Sequence, residues 1–266
     1  MRALQMIIAG LLFASPLSVW ASPRVFSLDQ CADQYVLALG DRASIVGLSK
    51  RADDADAFLR REATGLLQSR ATLEAVLAAR PEVVVRYWGG SPTLLQALQR
   101  RGVKVVSITE ASSYDEVRGS VRRVAEALDR PERGAAIVAA MDAKLARAQG
   151  AWRGKPALYL SAGGSTTGPG TMMDAMLKAA GLTNVTAAPG YSQLRLEDIV
   201  RVKPAALVLG FFERTANALE HWGLGRHRIM QRLMQERAIA SLPASVLTCP
   251  AWYTADGALM LAQARR

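Results

Sequence analysis

The chain has 266 residues, too many for one small core and well suited to two lobes of α/β size. Its 33 Lys and Arg against 23 Asp and Glu give a formal net charge of +10, but the basic residues are scattered in pairs such as Arg60-Arg61, Arg100-Arg101 and Arg122-Arg123. Without one basic stripe carrying interleaved aromatics there is no nucleic-acid surface, and two isolated cysteines lack the clustered spacing of a zinc site.

Residues 1–21 read as a cleaved export signal: Arg2 supplies the positive start, Met6 to Leu12 the apolar core, and Val19-Trp20-Ala21 the small-x-small cleavage site. The apolar run is interrupted by Gly10, Ser15 and Pro16, so it falls short of the ~20 residues of a spanning helix. Lipid anchoring needs a cysteine directly after that core, and the first is Cys31. A soluble periplasmic protein is expected.

Short β-branched runs at 24–28, 45–48, 83–85 and 103–108 read as buried strands, with helices over 32–39, 72–79 and 92–101 between them. The same alternation resumes after residue 155, with strands at 157–160, 206–209 and 246–248 and helices near 171–180, 195–202, 226–236 and 255–264. This βαβ grammar predicts two α/β lobes with mostly parallel sheets flanked by helices. Between them, Pro131 opens a long helical pattern whose Val138, Met141, Leu145, Ala148 and Trp152 share one face. A helix over 131–153 would span about 33 Å and join a lobe at 22–130 to one at 154–266 as a rod.

One pattern occurs in both lobes. Leu73-Glu74 leads through Arg80-Pro81 into a buried strand, and Leu196-Glu197 leads through Lys203-Pro204 into another. The proline ends each helix, and each Glu sits in a first turn, where it would stabilise the helix dipole by about 0.3–1 kcal/mol. Its recurrence also suits a two-fold partner that presents arginines, which pair with carboxylates bidentately.

The stretch Arg24 to Gln34, the Ile45-Val46-Gly47-Leu48 strand and the two Leu-Glu-to-Pro segments resemble the iron-siderophore and vitamin B12 periplasmic-binding family, the helical-backbone class of ABC importer binding proteins. The resemblance implies two lobes joined by a single long backbone helix, a ligand held in the cleft between them, and small lobe closure. It also implies that Glu74 and Glu197 dock on an ABC permease dimer in the inner membrane. Tyr87-Trp88-Gly89-Gly90 stands where the vitamin B12 branch carries Trp-Arg-Gly-Gly.

Parallel sheets bind ligands beyond the carboxyl ends of their strands. Tyr87, Trp88, Tyr191, Trp252 and Tyr253 fall at or beside those ends and would suit a large flat or apolar ligand, while Arg51, Arg86 and Arg214 could pair with anionic groups on it. The glycine-rich stretch from Ser161 to Thr171 has no Lys-Ser/Thr pair after its glycines, so it reads as a shaped loop at the cleft mouth and not as a nucleotide loop. Cys31 and Cys249 are both assigned to cleft-facing strand ends, either bridged or as two free thiols. His221 and His227 read as surface residues.

The function expected is capture of a ferric siderophore or a corrinoid such as cobalamin, by a monomer that is not an enzyme. No resident cofactor and no protein metal site are expected, the iron or cobalt arriving inside the ligand. The alternatives are a periplasmic interaction or sensory module on the same fold, or an α/β hydrolase, which lacks its Gly-x-Ser-x-Gly elbow here.

Overall fold

The protein is described as a computed structural model over residues 22–212 and 227–265; the expected export signal, Arg214 and His221 lie outside them. The first lobe runs β1 (Val25–Ser27), α1 (Gln30–Leu39), β2 (Ile45–Ser49), β3 (Gln68–Ser69), α2 (Leu73–Ala78), β4 (Val83–Arg86), α3 (Pro92–Gln99), β5 (Lys104–Ser107) and α4 (Tyr114–Ala127). Its strands form one sheet in the order β3-β2-β1-β4-β5, with every pairing parallel. Alternate residues feed opposite faces of that sheet. Val25, Val83 and Val85 pack with Tyr35 of α1 and Val121 of α4, whereas Phe26 and Val84 pack with Val76 of α2 and Leu94 of α3.

A connecting helix, α5 (Pro131–Ala148), leads to the second lobe: β6 (Lys155–Ser161), β7 (Ser165–Thr167), α6 (Met172–Ala179), β8 (Leu182–Asn184), β9 (Tyr191–Gln193), α7 (Leu196–Val202), β10 (Ala206–Gly210), α8 (Arg228–Arg237), β11 (Ala238–Leu242), α9 (Ala244–Leu247) and α10 (Thr254–Gln263). The order β11-β10-β6-β8 is again all parallel, and β7 and β9 form a separate antiparallel pair. Ala157, Tyr159 and Val208 face α6 and α10; Leu158, Leu160 and Leu207 face Ile199 of α7 and Met230 of α8. Among the described residues no helix is long and apolar enough to cross a membrane.

Two expectations are corrected. The strand expected at 246–248 is at Ala238–Leu242, and Val246 lies in α9. Pro243, at φ −69°, caps that helix, and a short β-branched run beside a proline serves either conformation. The connecting helix also stops short of residue 153. Gln149 leaves the helical region and Gly150 turns at φ +68°, so 18 residues span about 27 Å. Trp152 lies beyond the end, its indole N–H donating to the Leu261 carbonyl at 2.8 Å. The helix α4, which the sequence reading did not single out, packs along α5 so closely that a Cβ on Gly134 would lie 2.5 Å from that of Ala125.

The lobes share more than α5. After α9 the chain returns to the first lobe, where Cys249 is disulfide-bonded to Cys31 of α1 across a separation of 218 residues. Tyr35 donates to the Pro250 carbonyl at 3.1 Å, Trp252 meets the Tyr35 ring edge-on, and Tyr253 stacks on Phe58 with ring centroids 4.1 Å apart. Residues 249–253 thus belong to the first lobe's core, although the second lobe precedes them. From there α10 runs back along α5, tied to it by Lys144 and Asp256 at 2.6 Å. Because the cross-link closes so long a loop, replacing both cysteines by serine should cost about 2–5 kcal/mol. Urea unfolding of the double variant reads that loss, and an unchanged midpoint would show that the aromatic packing alone holds the segment.

A second buried device sits on α1. Asp33 is fully buried and accepts from the Ser49 backbone N–H at 2.9 Å and its hydroxyl at 2.6 Å, joining α1 to the end of β2. Burial outweighs those bonds and pushes the carboxyl from 3.8 up to about 7. The folded chain therefore holds the proton more tightly than the unfolded one, and stability present below about pH 4 is lost as pH rises through about 7. Relative to Asp33→Asn, which mimics the protonated acid, the wild-type chain should lose ground on the order of 1 kcal/mol or more between those limits. Parallel stability profiles for the two proteins from pH 4 to pH 8 would overturn this.

Candidate ligand-binding cleft

In open parallel sheets the crevice opens where the strand order reverses. In the first lobe that point lies between β1 and β4, at Asp29 and Tyr87; in the second it lies between β6 and β10, at Ala162 and Phe211. A cavity of about 220 Å³ touches both points. Tyr87, Glu110 and Ala111 line it from the first lobe; Tyr159, Thr167, Tyr191 and Phe211 from the second; residues 247–250 close its base. A larger groove of about 690 Å³ between α7 and α8 lies away from these strand ends.

Each wall has a local cause. Asp29 caps α1 by accepting from Ala32 N–H, and its other oxygen accepts from the N–H groups of Tyr87 at 2.7 Å and Gly89 at 2.8 Å. One buried carboxylate thereby clips the loop after β4 to the start of α1 and aims Tyr87. Gly89 must be glycine for this approach, since a Cβ there would stand 2.6 Å from the Leu28 carbonyl. Opposite, β7 pairs with β9 so that Thr167 and Tyr191 are direct partners, and both reach the cavity. Tyr159 is accommodated because Gly210 has no side chain; a Cβ there would fall 2.3 Å from the phenol oxygen. Phe211 follows at φ +65°, a costly conformation for a bulky residue, and its ring lines the cavity.

Burial, and then the charge of Glu110 and the nearby Tyr191 phenol, push the Tyr87 phenol up to about 12. These three groups, drawn from both lobes, therefore meet at one mouth. Met172, Met173 and Met176 of α6 supply a polarizable floor. The wall thus combines apolar surface with the hydroxyls of Thr167, Thr248 and Thr254 and the three tyrosine phenols.

Of the residues singled out from sequence, Tyr87 and Tyr191 line the cavity. Trp252 and Tyr253 do not: the return of residues 249–253 to the first lobe makes both rings core. Trp88 is 58% exposed and off the cavity wall. Arg51 is paired with Asp54 at 2.7 Å and reaches buried Asp56 at 3.7 Å; the Arg86 guanidinium donates to the Gly89 carbonyl. Both arginines thus hold loops, and neither lines the cavity. Glu74 and Glu197 lie exposed in the first turns of α2 and α7. Thr167 belongs to the glycine-rich stretch expected at the cleft mouth, whereas sequence reading did not pick out Tyr159 or the three methionines, which read as strand or helix core. The usable signal was Met172-Met173-Asp174-Ala175-Met176 directly after a glycine-rich turn, since methionines there open a helix at a strand end.

Known proteins fit this geometry. Residues 25–245 match the family described as periplasmic binding protein. A cobalamin-binding protein of Halobacterium salinarum is 30% identical over 210 residues, 74% of this chain but only 57% of that relative's length. The fold matches a periplasmic heme-binding protein of Roseiflexus sp. RS-1 in its apo form (TM-score 0.70, 23% identity, 92% of this chain and 100% of that one). It also matches the periplasmic vitamin B12 binding protein of Vibrio cholerae (TM-score 0.68, 18% identity, 92% of this chain and 96% of that one). With its family match running from β1 to α9, the chain belongs to the periplasmic binding proteins.

Proposed function

We propose that the protein captures a metal chelate, a ferric siderophore or a corrinoid, between its lobes in the periplasm and delivers it to an ABC permease dimer in the inner membrane. The observation that carries this reading is the cavity where the two switch points face each other, walled by four aromatic rings and three methionines. Area burial favours a large, mostly apolar ligand there. At about 220 Å³ the cavity is smaller than the ~300–1,000 Å³ that encloses a drug-sized ligand, so one edge of the chelate enters and the rest lies between the lobe mouths. The iron or cobalt comes with the ligand, and the chain works as a monomer with no resident cofactor.

Delivery rests on Glu74 and Glu197. Each is exposed in the first turn of a short helix, one per lobe, and each helix is followed by a residue in the left-handed region, Arg80 at φ 48° and Lys203 at φ 46°. Repetition of the whole device puts one accessible carboxylate on each half of the molecule, as a two-fold partner requires. Residues 1–21 act as the export signal. Charge reversal of both, Glu74→Arg with Glu197→Arg, should abolish chelate uptake by cells while one-to-one binding by the purified protein, read by native mass spectrometry, stays within about twofold. Unimpaired uptake by the double variant would remove the docking role and favour an interaction or sensory module.

A further inference from the structure

The cleft differs in charge from the molecule around it. The chain carries a formal net charge of +10, yet among the described residues no Lys, Arg or His lines the cavity, and Glu110 is the one acidic residue there. The arginines closest to the strand ends are engaged elsewhere, Arg51 with Asp54 and Asp56, Arg86 with the Gly89 carbonyl. Glu110 is exposed on its own lobe and close enough to Tyr87 and Tyr191 to disfavour both phenolates.

A second observation is independent of charge. Thr167 is 1% exposed and lines the same cavity, and its hydroxyl has no hydrogen-bond partner in the protein. An unpaired buried hydroxyl is costly, and this one belongs to a residue of the flap, paired with Tyr191, that lines the cavity.

We infer that the cleft selects metal chelates of neutral or positive overall charge, with the Thr167 hydroxyl as a hydrogen-bond contact to the ligand and Glu110 as the residue that rejects anions. This deepens the capture function proposed above and rests on it. Three singly charged hydroxamates cancel a ferric ion, and a corrinoid lacking its nucleotide tail is cationic. Three doubly charged catecholates leave the complex triply negative. Such an anion would lose water against methionine and aromatic walls, meet Glu110, and find no compensating cation among the described residues of the wall.

The test uses the mature, disulfide-intact chain titrated at one ionic strength with a ferric trihydroxamate, a tailless corrinoid and a ferric tricatecholate. At least one of the first two should bind about tenfold or more tightly than the tricatecholate. Glu110→Gln should narrow that gap, weakening the cationic corrinoid and leaving the neutral trihydroxamate within about twofold. Thr167→Val should weaken the favoured chelate by about threefold to tenfold with a thermal midpoint unchanged or raised, because a buried unpaired hydroxyl contributes no stability. A lowered midpoint with unchanged affinity would assign Thr167 to folding and overturn its ligand role. A tricatecholate bound as tightly as the others, or a gap insensitive to Glu110→Gln, would overturn the charge selection while leaving chelate capture standing. Failure of all three chelates to bind would overturn capture itself.

Discussion

The constraint on which the rest depends is the return of residues 249–253 into the core of the first lobe. Cys249 is bonded to Cys31, Tyr35 and Trp252 meet edge-on, and Tyr253 is sealed under Phe58. With α5 and α10 running side by side from the same junction, the lobes are joined at their base by three strands of chain, all packed. A single helix would leave the lobes free to swing about its ends. A base closed by buried aromatics instead fixes the separation of the two sheets and forms the floor of the cleft, where Cys249 and Pro250 lie.

On that base, the site follows from topology. Each sheet reverses its strand order once beside its first strand, and each reversal leaves a gap at the carboxyl ends. Facing the two gaps across a fixed base makes one cavity with two walls of different kinds. The first-lobe wall is a clipped loop, held by a single carboxylate that also caps α1. The second-lobe wall is a strand end relieved by Gly210 plus a two-stranded flap, with Tyr159 and Tyr191 at different depths. The backbone behind both walls is fixed by these contacts, while the Tyr191 ring stands exposed on the flap.

The same economy governs the charges. Among the described residues, the arginines nearest the cleft, Arg51 and Arg86, are tied to Asp54, Asp56 or a backbone carbonyl. Asp56 is buried and also accepts from Gln30 of α1 and from Thr248, the residue that follows α9, so it links both lobes. The aspartates and arginines near the cleft thus serve its shape, and the cavity surface is left to rings, methionines, three threonines, Glu110 and the 247–250 segment.

Local sequence determined the elements, because strands and helices announce themselves by period, and proline and glycine mark their ends. The α/β alternation, the long helix after Pro131, the paired Leu-Glu-to-Pro segments and the placing of Tyr87 just beyond a strand were legible in that way, whereas Tyr191, read as part of a turn, opens β9. Errors arose where local signals were ambiguous or where the deciding partner was far along the chain. Val246-Leu247-Thr248 suits a strand or a helix equally, and Pro243 with the pairing of β11 to β10 decided it. Trp252 and Tyr253 look like ligand rings by their place after a strand end, and only the packing of residues more than 190 positions earlier, Tyr35 and Phe58, makes them core. Likewise Arg51 and Arg86 are cations by composition, and whether a cation is free for a ligand depends on which carboxylate or carbonyl the fold brings to it. Sequence sets what each segment can form; long-range packing decides which of its side chains reach the cleft.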